Sequence, residues 1–211
     1  MPGRLLFAIA VTAIGLMGVT PMAVRTEAAS GDGSAPLVTR HPELIAALER
    51  IARGSASWRA ALAALKATGR QAVILTPDQV VVRDSATGTV AEFDRTAVAE
   101  VSPVAGPAGA VSAVLVVVNV ERMQQLHDRR GSLPGEFHAD LDRVLAHEVY
   151  GHAVPYLAAG HLSGRCADPA PGQAATDSCA IQRENVIRGE LRLGRRTDAA
   201  LGGLILAGML R

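Results

Sequence analysis

Residues 145–156 read Leu-Ala-His-Glu-Val-Tyr-Gly-His-Ala-Val-Pro-Tyr, and they place two imidazoles and a carboxylate within six positions, His147 to His152. Two histidines on one face of a helix can hold Zn²⁺, and an acid beside the first can take a proton from an attacking water. That geometry normally needs a spacing of i, i+4. At about 100° per residue, i+5 leaves the second ring about 140° from the first on an ideal helix. A chain that uses this motif must therefore fold it into a distorted helix. One added residue is absorbed by a π-bulge, and Gly151 is where the backbone deforms most easily.

The pattern His147-Glu148-x-x-Gly151-His152 resembles the lengthened motif of the dipeptidyl peptidase III family, in which both histidines bind zinc and the Glu is the catalytic base. A broader resemblance, to small secreted or toxin-associated bacterial metallopeptidase-like domains of the zincin type, adds Leu145-Ala146, Ala153 and the downstream Glu184-Asn185-x-x-Arg188. It implies a single α+β, zincin-like domain. A small mixed or antiparallel sheet would pack on the motif helix, with further helices around it.

A catalytic zinc usually has three protein ligands and one open position. The resemblance points to Glu184 as the third, on a following helix that includes Ala180, Ile181, Ile187 and Leu191, with Arg188 one turn on. In dipeptidyl peptidase III the second element is Glu-Glu-x-x-Ala-Glu or Asp, and Arg183-Glu184-Asn185 departs from it. His161, after the Ala158-Ala159-Gly160 turn, is the rival ligand, and Glu190 stands behind both. His161, Tyr150 and Tyr156 are also candidates for donating a hydrogen bond to an oxyanion.

Composition narrows the partners. A net charge of +1 over 211 residues, with one Trp, two Tyr and three Phe, offers neither a basic surface nor a stacking platform for nucleic acid. The expected partner is a peptide or protein substrate; nothing indicates an oligomeric state. The readings are a zinc peptidase, a zinc amidase acting on cell-wall material, or an inactive binding module on the same scaffold.

Arg4, the apolar run Leu5–Val19 and the small residues ending in Ala28-Ala29 have the three parts of a secretory signal. The expected organisation is a leader over 1–29 cleaved near Ala28 or Ala29, a polar linker over 30–38 and one domain over 39–211. The product would be secreted or periplasmic; an uncleaved anchor is the alternative. Cys166 and Cys179 then read as one disulfide, worth about 3 kcal/mol by chain entropy.

Between leader and motif, helices are expected from Pro42 to Gly54 and from about Ser57 to Gly69. A β-hairpin is expected over 72–83, turning at Thr76-Pro77-Asp78-Gln79, then strands over 89–93 and 98–101 and a loop over 103–109. The β-branched run Val111–Val120 reads as the central strand. The resemblance would lay its Leu115–Val120 half along a substrate cleft, where it could pair with an extended peptide. Glu121–Glu136 is expected to be a solvated connection, with the motif helix starting near His138 to Asp140.

Overall fold

The computed structural model describes residues 8–11, 22–25, 35–84, 90–91, 97–105, 110–131, 133–161 and 175–196. Helix α1 (Pro42–Gly54) starts on a proline whose missing N–H costs nothing in a first turn, and it buries Leu44, Ala47 and Ile51. Ser55 closes α1 and opens α2 (Ala56–Lys66), because its Oγ accepts the backbone N–H of Trp58 at 3.0 Å. Both helices follow the sequence reading.

Two four-stranded sheets are present among the described residues. One, in the order β1 (Ala8–Val11), β2 (Met22–Arg25), β5 (Val81–Asp84), β6 (Val90–Ala91), is antiparallel. The other, in the order β3 (Leu37–Val38), β4 (Gln71–Leu75), β8 (Val111–Val118), β7 (Ala99–Ala105), is mixed. In it β3, β4 and β8 run parallel and β7 antiparallel. The fold is α+β, as expected.

The mixed sheet has apolar side chains on both faces. Ala72, Ile74, Val114, Val116 and Val118 join the main core under the helices, while Val73, Leu75, Leu115 and Val117 form a smaller cluster with Val80 on the other side. A strand covered on both faces reads as an unbroken apolar run, with no alternation to reveal its neighbours.

That is why the expected hairpin over 72–83 is wrong. β4 pairs with β3 and β8, and β5 pairs with β2 and β6 in the other sheet. Pro77–Gln79 form a 3₁₀ turn, with the Gln79 side chain accepting the Thr76 N–H at 3.0 Å, and this turn separates the two strands. The central-strand expectation holds for β8, but its proposed pairing with substrate does not. Val111–Val118 is flanked by β4 and β7, so its backbone groups are already engaged. β7 also runs on through Pro103, which a loop was expected to contain.

The connection expected to be a solvated loop contains helix α3 (Val120–Asp128). Asn119 caps it by accepting the Arg122 N–H at 3.0 Å, and Val120, Met123 and His127 form a buried stripe at i, i+3, i+7. Helix α4 (Pro134–Leu145) likewise starts earlier than expected, with the Glu136 carboxylate accepting the Leu133 N–H. Asp140 and Asp142 therefore lie beyond the first turn, and both are buried. Asp140 is held by His127 Nε2 at 3.0 Å and by Arg143, and Asp142 accepts from Arg50 at 2.8 and 3.2 Å. Burial pushes the Asp142 carboxyl up against the opposing pull of Arg50.

Leu141, Val144, Leu145, Val149 and Ala153 are fully buried, as the sequence pattern predicts. Each larger aliphatic side chain among them contributes about 1.5–3 kcal/mol, enough to fix which face of this helix meets the sheet. No helix among the described residues is long and apolar enough to cross a membrane.

Candidate metal centre

After Leu145 the helix changes its hydrogen-bonding period without a break in direction. Ala146–Ala153 is π-helical, and α5 (Val154–Ala159) resumes the α form until Gly160, at φ +74°, ends it. Pro155, expected to end or kink the helix, does not end it: the chain stays helical from the π segment through Pro155 to Ala159. In a π segment residue i+5 returns over residue i, which the lengthened motif requires. His147 Nε2 and His152 Nε2 lie 3.2 Å apart, with the rings nearly perpendicular at 82°.

Glu148 joins them. Ligand atoms of His147, Glu148 and His152 all lie within 4.8 Å of one another, a group that could hold a metal ion. Two nitrogens bound tetrahedrally to zinc at 2.0–2.1 Å would be about 3.3 Å apart, so the spacing of the Nε2 pair fits that ion.

Gly151 has a different reason for being glycine from the one the sequence suggests. Its φ is not among the positive values; what matters is helix α6 (Ala175–Glu190), which crosses the π segment there. A Cβ on Gly151 would stand 3.0 Å from both Cβ and O of Ala180 and 3.1 Å from its Cα. The Arg183 guanidinium, meanwhile, donates to the Gly151 carbonyl at 3.2 Å. Gly151→Ala should therefore cost about 1–3 kcal/mol, by pushing a backbone and not a flexible side chain. Urea denaturation measures it, and an unchanged midpoint would mean that α6 docks less tightly than described.

The same crossing delivers Glu184, to the His147 ring and outside the group formed by His147, Glu148 and His152. Its Oε2 lies 3.0 Å from His147 Nδ1, across the ring from the Nε2 that faces His152. Arg188 donates to Oε1 at 2.7 Å and Arg196 to Oε2 at 3.3 Å, and the carboxylate is fully buried. Burial alone would raise its pKa; the bonds from His147 and Arg188 outweigh it and hold the group below the ordinary carboxylate value. A carboxylate behind a ligating imidazole orients the ring and sets its tautomer.

The other expected residues are dispersed. His161 is exposed and forms an isolated bridge with Ala110, and it lies outside the three-residue group. Tyr150 stacks on Trp58 at 6.4 Å, and Tyr156 packs against the main core. Arg188 serves Glu184 and the carbonyls of Leu193 and Gly194. Glu190 binds Ser55 and Ser57 at the start of α2, far from ligand duty. Cys179 is buried and disulfide-bonded; the sequence suggests a loop over 162–178, of which 162–174, Cys166 included, lie outside the described residues, while α6 already starts at Ala175.

Arg196 is the residue that sequence reading missed. It follows the end of α6 by six positions, in a stretch with no helical period to place it. A cavity of about 610 Å³ opens where β4 and β8 end, lined by His41, Thr76, Asp78, Asn119 and Arg122, and it includes none of the motif residues. Comparison with protein-family models, with curated proteins and with solved structures finds no match to this chain.

Proposed function

We propose that this chain is an exported zinc-dependent hydrolase, with peptide or protein as its substrate. The observation that carries the reading is the π segment, which turns two histidines five residues apart into a facing pair of Nε2 atoms with Glu148 beside them. A spacing that defeats an α-helix is accommodated by an irregular one, and such bulges are frequent at functional sites.

His147 and His152 would hold the ion through Nε2, and zinc bound there supplies Lewis acidity that polarises a carbonyl and acidifies water. Glu148 accepts the proton of the attacking water on its carboxylate and passes it to the leaving nitrogen. Glu184 holds His147 from the Nδ1 side. Tyr150, stacked on Trp58, keeps the π segment against α2. Export rests on Arg4, the apolar run Leu5–Val19 and the small residues before Ser30, and cleavage there would remove β1 and β2 from the antiparallel sheet and leave β5 paired with β6.

Metal content tests the reading directly. The purified chain should carry about one zinc, His152→Ala should lose it, and hydrolysis of a casein-type substrate should stop with a chelator. A wild-type chain that takes up no zinc, or that hydrolyses equally well in chelator, overturns it.

A further inference from the structure

The chain reverses at the end of α6 in a Schellman cap, the Leu193 N–H donating to the Arg188 carbonyl at 2.9 Å and the Arg192 N–H to the Gly189 carbonyl at 3.2 Å. Arg192 stands at φ +58° and Gly194 at φ +71°, so a non-glycine residue is held in the left-handed region two positions before a glycine that adopts it freely. Three side chains fix this reversal to neighbouring helices. Arg188 donates from Nε to the Gly194 carbonyl at 2.6 Å, and Arg143 reaches the Leu193 carbonyl at 3.4 Å. Asn185 bonds the Arg196 backbone in both directions, Nδ2 to O at 2.8 Å and N to Oδ1 at 2.6 Å.

These contacts deliver the Arg196 guanidinium to Glu184 Oε2, with its side chain only 8% exposed. Glu184 thus lies between two guanidinium groups, Arg188 on one oxygen and Arg196 on the other. A carboxylate held this way can only accept, so the third hydrogen bond it makes requires His147 to donate from Nδ1. The Nε2 lone pair of His147 then points toward His152.

We propose that Arg196 is a positioning residue for the metal centre: through Glu184 it fixes His147 as the Nδ1–H tautomer and presents Nε2 for ligation. The inference rests on the proposed metal site and names a control on it outside the motif.

Two readouts test it on the full chain. Zinc affinity, measured by competition with a chromogenic chelator, should weaken roughly 10- to 100-fold in Arg196→Met and largely recover in Arg196→Lys. In metal-free protein, long-range ¹H–¹⁵N correlation should show His147 protonated on Nδ1 in wild type and a tautomer mixture in Arg196→Met. If the methionine variant does not fold, Arg196→Gln, which keeps a donor without the charge, is measured the same way. A folded variant with unchanged tautomer and unchanged affinity overturns the inference, and a lower melting temperature alone does not support it. If wild type binds no zinc, the proposed function fails, and the tautomer comparison still decides the role of Arg196.

Discussion

Glu148→Gln should keep zinc at wild-type stoichiometry and lower hydrolysis by about 10²- to 10⁴-fold, the range over which a positioned general base acts. Glutamine matches glutamate in size and preserves its hydrogen-bonding reach, but it cannot take up a proton at neutral pH. Position decides the magnitude. Glu148 follows His147 on the π segment, is about nine-tenths buried, and brings a carboxylate oxygen within 4.8 Å of the histidine nitrogens. The measurement is kcat/KM alongside metal content on the same preparation. Activity within about twofold of wild type, with zinc bound, would remove Glu148 from the mechanism and return the site to binding.

Glu184→Ala should have the largest effect on stability. It leaves the Arg188 and Arg196 guanidinium groups, 13% and 8% exposed, without the carboxylate between them. Removing one partner of a buried ion pair costs about 3–5 kcal/mol, because the remaining charge stays desolvated. Such a loss is comparable to the roughly 5–15 kcal/mol that holds a domain together, so poor yield or a much lower urea midpoint is expected. Glu184→Gln should be milder in stability and still weaken zinc roughly 10- to 100-fold, since an amide holds the His147 ring less firmly.

The sign of the pH dependence follows from the depressed pKa of Glu184. A carboxyl lowered on folding contributes stability above its unfolded value, 4.5, and loses it as pH falls through the lower native value. Thermal denaturation between pH 3 and 6, on roughly unit steps, should therefore show wild type losing stability at the acid end and Glu184→Gln losing less. Parallel curves for the two proteins would count against the ion-paired carboxylate.

Much of the helical part was legible in residues alone. Pro42 and Ser55 mark where α1 and α2 begin, and Leu141, Val144, Leu145, Val149 and Ala153 name the buried face of the motif helix. These are local signals, spanning one to three turns. Strand pairing was not legible, because β4 and β8 are apolar on both faces and nothing in Gln71–Leu75 says that its neighbours are Leu37–Val38 and Ala113–Val117. The helix at Val120–Asp128 was hidden by its charged outer face, although the Asn119 cap and the Val120, Met123, His127 stripe were present in the sequence.

At the candidate metal centre the division is sharpest. Six residues, His147 to His152, need an irregular helix if both imidazoles are to meet, because i+5 histidines cannot share a face of a regular one. The structure meets that demand with the π segment Ala146–Ala153. The place of Glu184 could not be read the same way. Sequence puts a carboxylate on a helix that follows, but which edge of the His147 ring it meets depends on how closely α6 approaches at Gly151 and Ala180. It depends also on a reversal at residues 191–196 that brings Arg196 back onto the same carboxylate. Both are contacts between segments far apart in the chain, set by packing distance and not by any local period.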